Sequence, residues 1–432
     1  MHYKRLISAG FIWLIALVAM AQTSSNSPYT RYGFGQLSDQ SFASGKAMGG
    51  IGYGLRNGLQ INAANPASYS AVDSLTFLFD AGLSLQNANF QENGTKTNAQ
   101  NSSIDYIAMQ FRLAEGLGFT AGFLPYSTVG YKMSETSTIS NSEDQYGNAT
   151  SQLSSHNGTG GLQQVFIGLG YEVVKNLSIG TNFYYVYGDI AHTISTTFSN
   201  SNAFTSLWSE ELSVKDFKMD FGAQYTQKFG KKHAVTLGAV YSIGKEMNSD
   251  GYRYLEKYNG TTLLTQTVDT LSNVCGLPQT FGIGVTYAYN NRLTVGLDYT
   301  HQKWSDVKFP NTVEDKQYLV QEGLFTDRKK ISFGAEYIPN PVSRGYLNRV
   351  RYRIGAYYAD PYAKVDGKEG AREYGASFGF GFPLFQSKSI LSVSGQYVKV
   401  SPKVKGMLEE NYLKVNVGLT FNERWFMKWK VE

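Results

Sequence analysis

The stretches FGIGVTYAY (281–289), NNR (290–292) and LTVGLDY (293–299) decide the fold. Phe281, Ile283, Val285, Tyr287 and Tyr289 alternate with Gly282, Gly284, Thr286 and Ala288, and the alternation resumes at Leu293, Val295, Leu297 and Tyr299. A period of two puts all the large apolar side chains on one face of an extended chain and the small or polar ones on the other. Two such runs across Asn290–Arg292 read as an antiparallel hairpin with one greasy and one modest face.

Working outward, the same pattern recurs at 75–86, 107–113, 117–123, 165–173, 177–185 and 217–225, then at 235–243. After the central hairpin it continues at 331–337, 352–358, 374–382, 391–397 and 413–421, which makes fourteen strands. The connections alternate as well. Glu115-Gly116, Lys175-Asn176, 230–233, 290–292, 339–349 and 384–389 are the tighter set, while 127–162, 244–277 and 305–327 read as long outer loops rich in Ser, Asn and Gly. An even number of strands with short turns at one end and long loops at the other fits an all-β, fourteen-stranded antiparallel transmembrane barrel. A soluble sandwich also alternates, but its strands run to about 5–6 residues, whereas many here reach the roughly 9–11 needed to cross a bilayer at a tilt. Rings such as Tyr185, Tyr187, Phe229, Tyr289, Tyr337 and Phe382 fall near strand ends, where interfacial girdles belong.

Composition agrees. The 432 residues carry 39 Lys or Arg and 34 Asp or Glu, a net charge of +5 that is too mild to indicate nucleic-acid binding. Mean hydropathy is −0.28, and no apolar run of membrane-helix length occurs beyond the extreme N-terminus. Cys275 is the single cysteine, which excludes a disulfide framework and a cysteine-based zinc site. At the start, Lys4 and Arg5 precede an apolar run that closes with Ala19-Met20-Ala21, so residues 1–21 read as a secretory signal peptide cut before Gln22. No lipidated cysteine follows the cut.

The inward faces are small or polar: Gly282 and Gly284, then Gly375, Ser377, Gly379 and Gly381, then Lys414, Asn416 and Gly418. Fourteen strands enclose more width than such side chains fill, so water, ligand or a plug must occupy the interior. The segment 22–74 lacks strand periodicity and supplies Gly49-Gly50, Gly52, Gly54 and Asn65-Pro66-Ala67. Its glycines do not form a dinucleotide-binding fingerprint, because Leu55 stands where the third glycine would be required.

Signal peptide, Gly-Gly stretch, Asn-Pro-Ala ahead of the first strand and fourteen strands together resemble the FadL-type outer-membrane transporters of long-chain fatty acids and aromatic hydrocarbons. The resemblance implies residence in the bacterial outer membrane among its lipids, and a barrel (75–421) with an N-terminal hatch (22–74) in its lumen. It also implies a hydrophobic small-molecule ligand that passes inward and then sideways through the wall. Gly49, Gly50, Asn65, Pro66 and Ala67 would lie in that hatch near the inner pocket. The family's wall opening depends on a kink in the third strand, and Pro125, which has no N–H for the ladder, is the candidate here. The alternative is that Pro125 starts an outer loop.

Charges facing the lumen are the remaining candidates. Glu336, Arg351 and Arg353 flank one short connection and are expected to pair across the ladder, and Asp80 with Arg112 likewise. Together with Lys330 they either anchor the hatch or capture a ligand head group. No catalytic or metal-binding pattern emerges: His156, His192, His233 and His301 are scattered, and no metalloprotease, nucleophile-elbow or phosphate-loop motif is present, so no cofactor or catalytic residue is expected. The last strand ends in Phe421, resembling the signal read by the barrel-assembly machinery during insertion, and 422–432 reads as an amphipathic periplasmic tail. The expectation is a monomeric, non-enzymatic channel for passive uptake of hydrophobic compounds such as long-chain fatty acids. The alternative is a barrel that docks or helps assemble secreted proteins. A channel calls for a continuous apolar pocket; a docking protein calls for a filled lumen and long outer surfaces.

Overall fold

A computed structural model describes residues 25–424, apart from 93, 144–148, 201, 313–316, 385–387 and 404–406. The signal peptide and most of the expected tail lie outside the described residues.

The wall consists of β1 (Thr76–Glu92), β2 (Thr95–Ala114), β3 (Leu117–Pro125 and Ser127–Glu143), β4 (Ala149–Gly160 and Gln163–Val174), β5 (Leu177–Phe198), β6 (Thr205–Phe229) and β7 (His233–Ser242). It continues with β8 (Gln279–Tyr289), β9 (Leu293–Lys303), β10 (Arg328–Tyr337), β11 (Arg351–Ala359), β12 (Arg372–Pro383), β13 (Ile390–Ser401) and β14 (Glu409–Arg424). Each strand pairs antiparallel with its neighbours in sequence, and β1 closes the cylinder on β14 with Phe79 opposite Phe421. Closure leaves no free edge around the inner half of the wall, the condition a sheet must meet to sit in hydrocarbon.

The hairpin that opened the sequence reading is regular: β8 and β9 pair without a slip from Gln279–Lys303 to Tyr289–Leu293, and Asn290 and Asn291 take the positive φ values the tight turn demands. Its apolar residues point outward, with Ile283 61% and Leu297 49% exposed, and β7, β11 and β12 do the same through Leu237, Ile354 and Phe378. Such an exposed apolar belt is stable only against lipid tails.

The inward faces meet the N-terminal segment. This carries a 3-10 turn at Pro28–Arg31 capped by Ser27, a two-residue strand Gln36–Leu37, a helical turn at Ala43–Lys46, and a second 3-10 turn at Pro66–Ala71 capped by Asn65. A Cβ at Gly238 or Gly222 would collide with the Tyr53 carbonyl or the Asn65 side chain, so both glycines are there for close backbone approach. Gly118, Gly170, Gly334 and Gly418 face Tyr69, Pro66, Met48 and Ala43 in the same way, and the segment therefore touches inward-facing residues around most of the circumference.

Three expectations are corrected. Residues 127–162 are not a loop: Ser127–Glu143 pairs with Ala149–Gly160 and extends the wall outward. The stretch 244–277 likewise holds a hairpin, Ser249–Asn259 with Thr262–Ser272. Apart from a few buried apolar residues such as Val129 and Tyr131, these extensions are built of polar side chains, so they lack the regular apolar alternation that marks a half-buried strand. Finally, Leu75 has φ 55° and lies before β1, whereas β14 runs past Phe421 to Arg424.

Candidate functional site

The wall is not sealed over its full height. β2 and β3 pair from Ala114–Leu117 up to Ile107–Phe123 and then part. Above that point β2 pairs only with β1, while the outer half of β3 pairs with the outer half of β4. Several features meet where they diverge. Pro125 ends the inner half of β3 and brings no N–H; the N–H groups of Tyr126 and Ser127 both donate to the Leu162 carbonyl, at 2.8 and 3.1 Å. On β4, Gly160 and Gly161 have φ 105° and 138°, and on β5 Gly188 has φ 145°. Only glycine adopts these angles without strain, so the dislocation crosses three strands at one level.

The gap is edged by two strand margins. Its β2 side includes Ser102 to Ile104, which pair across the sheet with Leu85 to Leu83. Leu83 and Leu85 are exposed apolar residues, so the gap begins within the lipid-facing belt. On the β3 side the N-terminal strand pairs in, Gln36 opposite Thr128 and Leu37 opposite Ser127. An unpaired strand margin at this depth persists only where it lines a polar cavity or finds a partner.

Such a cavity, of about 480 Å³, lies behind the gap, bounded by Asn101–Asp105 of β2 and by Thr128 and Val129 of β3. Its wall is a hydrogen-bonded network. Asp105 is skipped in the β1–β2 register and bulges inward, where Lys46 Nζ meets its carboxylate at 2.6 Å. Ser84 donates to Asp105 and is placed 2.7 Å from Asn416 Oδ1. Lys414 joins the lining without an ion-pair partner within 4.0 Å among the described residues. Asp39 of the N-terminal segment also lines the space; burial would raise its carboxyl, but Lys330, Lys46 and two Ser41 donors at 3.0 and 2.8 Å hold it below the usual carboxylate range.

The other candidates are placed as follows. Glu336 accepts from Arg353 at 2.7 Å and from Arg351 at 3.0 Å, and Arg353 also reaches Ser392 and, in the N-terminal segment, Gln60. Asp80 and Arg112 do not pair: Asp80 accepts from Tyr106 and Thr420, whereas Arg112 donates to Ala114 O. The register explains it, since Asp80 lies opposite Ala108, a full turn of the pleat and more from Arg112. Lys330 lies over the Tyr357 ring at 4.8 Å, facing Gly50. Asn65 Oδ1 accepts from Ala67 N while its amide donates to Tyr53 O, and Gly49 N donates to Ser377. Gly160-Gly161, Asp105 and Lys46 were not singled out from the sequence. The Gly-Gly pair was a readable signal; the bulge at Asp105 was not.

Residues 3–432 match the family model described as BamG. No curated protein matches the chain. Among solved structures, a Pseudomonas aeruginosa FadL homologue superposes with a TM-score of 0.60 at 12% identity, covering 90% of this chain and 100% of that one. The P. putida toluene transporter TodX gives 0.58 at 15% identity (90% and 100%), and the CymD monoaromatic hydrocarbon channel 0.57 at 14% (92% and 99%). The fold is thus that of FadL-type outer-membrane barrels.

Proposed function

The chain belongs to the BamG family, and from that premise and its fold we propose that it is a passive outer-membrane channel for small hydrophobic molecules, long-chain fatty acids among them. Residues 22–74 act as its hatch. The observation that carries this reading is the gap between β2 and β3, which begins within the lipid-facing belt and is backed by a cavity of about 480 Å³. A molecule in that cavity has a short path into the bilayer that avoids crossing a hydrogen-bonded wall. Diffusion needs no energy-coupling device. The Glu336–Arg351–Arg353 cluster anchors the hatch through Gln60 rather than waiting for a ligand carboxylate, because both guanidinium groups already hold the Glu336 carboxylate and Arg353 is turned onto Ser392 and Gln60 as well. Uptake of a radiolabelled fatty acid by cells with and without the protein tests the reading: faster uptake with the protein supports it, and equal uptake refutes it.

A docking role is favoured by a different observation. The outer halves of β3 to β6 and the hairpin Ser249–Ser272 form one continuous sheet beyond the belt, ending at Thr262–Ser272 with Leu263, Leu264 and Val268 exposed. Such a margin can accept an added strand from another chain. Deleting the hairpin separates the two roles, since a channel keeps its uptake and a docking protein loses its partner.

A further inference from the structure

The connection between β10 and β11 is out of keeping with its end of the barrel. The other connections there run to two, three or six residues, whereas this one spans 338–350. It has a built shape: Pro339 and Pro341 stiffen its entry, Asn340 N donates to the Asn348 carbonyl at 2.8 Å across its base, and a 3-10 turn occupies Leu347–Arg349. Yet it displays Val342 at 88% and Leu347 at 70% exposure, the most exposed large apolar side chains among the described residues, and Tyr346 precedes Leu347 as an exposed ring. Two bare aliphatic side chains held out in a fixed shape are unfavourable in water and call for an apolar cover.

The position of the loop says what that cover is. Tyr352 on β11 shares the outward face with the exposed Ile354, two residues on, and its hydroxyl donates to the Leu347 carbonyl at 3.3 Å. The loop therefore leans against the lipid side of the wall and not beneath the lumen. Tyr337, Tyr352 and Phe380 stand in one row across β10, β11 and β12 at this level, so the loop prolongs the belt where hydrocarbon gives way to head groups. Charge points the same way. Three neighbouring turns are chained by backbone hydrogen bonds, Asn290 N to Lys232 O at 2.6 Å and Ile338 N to Arg292 O at 2.7 Å. They carry Lys231, Lys232, Arg292, Arg344 and Arg349 and no acidic residue, and none of the five has an ion-pair partner within 4.0 Å among the described residues. Elsewhere on this rim acids are interspersed: Glu115, then Glu172 and Asp73, which lie 3.7 and 3.4 Å from Arg56 and Lys388. Arg349 is also held over the Tyr346 ring at 5.7 Å, which keeps a cation beside an exposed amphipathic side chain.

We infer that the inner rim from the β6–β7 turn to the β10–β11 loop is a binding surface for anionic phospholipid of the periplasmic leaflet. Val342 and Leu347 enter the acyl region and Tyr346 lies at its boundary. The basic residues of the three turns hold head-group phosphates, the arginines through paired N–H donors. The lipid stays outside the barrel as a partner of its wall, so the site does not depend on what the barrel carries.

Two measurements on the full mature chain in lipid test this. Val342→Cys, given a nitroxide after folding, reads the depth of the loop in nanodiscs; Cys275 is buried and does not compete. Dissolved oxygen should relax the label several-fold more strongly than an aqueous nickel chelate does. The reverse order would place the loop in periplasmic water, open to a soluble partner, and overturns the inference. Spin-labelled phosphatidylglycerol and phosphatidylcholine, added in turn to vesicles holding the unaltered protein, read the head-group preference. The motionally restricted fraction should favour phosphatidylglycerol by about threefold at low salt and by less than about 1.5-fold in about 1 M KCl, where screening cuts the reach of exposed charges. Arg344→Gln with Arg349→Gln should remove about half of the preference or more, while Lys175→Gln with Lys388→Gln, elsewhere on the rim, should keep it. Equal association of the two lipids, a preference unmoved by salt, or its loss to the same degree in both double variants overturns the inference.

Discussion

The β8–β9 hairpin and the β2–β3 pair begin alike and end differently. Both leave a tight inner turn with apolar residues outward, but β8 and β9 stay in register for eleven positions while β2 and β3 part after Ile107–Phe123. Along β8, Gly282 and Gly284 bring the wall against Tyr53 of the N-terminal segment. Along outer β2, Asp105 bulges toward Lys46 and the margin faces a cavity. The contrast teaches that closure here depends on what presses against the inner face as well as on the ladder. Where the segment abuts glycines the wall is zipped, and where proline and high-φ glycines coincide it opens.

The largest test of the zipped side is Arg353→Ala. It leaves Glu336 buried with one partner and cuts the link to Gln60, so unfolding in urea should show a loss of about 3–5 kcal/mol. Gly238→Val forces a side chain into the Tyr53 carbonyl and should cost about 1–3 kcal/mol on the same assay, and protease sensitivity of the N-terminal segment should rise. On the open side, Pro125→Ala should cost less than about 1 kcal/mol and leave the gap in place, because Gly160, Gly161 and Gly188 also hold the dislocation. If disulfide trapping shows that Pro125→Ala closes the gap, proline alone sets it. The smallest effect is electrostatic. The Asp39 carboxyl is held below its usual range, so its contribution is present above its unfolded value of about 4 and is lost as the pH falls through the lower folded value. Asp39→Asn should remove that acid-side slope from stability measured below about pH 4 and shift stability by about 1 kcal/mol or less at neutral pH.

The inner half of the wall was legible in the sequence because lipid on one side and the packed segment on the other impose a strict period of two. The fourteen strands and the central hairpin followed from residues such as Ile283, Val285 and Leu297 alone. The outer hairpins were illegible for the converse reason: Thr262–Ser272 has water on both faces, and Thr150–Thr159, though partly buried, shows no apolar alternation. The Glu336–Arg353 pairing was readable because it depends on a single connection between neighbouring strands. The Asp80–Arg112 expectation failed because it guessed depth without register, and Lys46–Asp105 escaped notice because it needs a bulge and a fold-back of the N-terminal segment at once.

Backbone amide exchange in nanodiscs tests the open wall most directly. In Ser102–Ile104, the amides that point away from β1 toward the gap should exchange orders of magnitude faster than residues 283–289, which are bonded on both sides. Uniform slow exchange through Ser102–Ile104, matching β8, would mean that the wall is continuous there and would contradict the account.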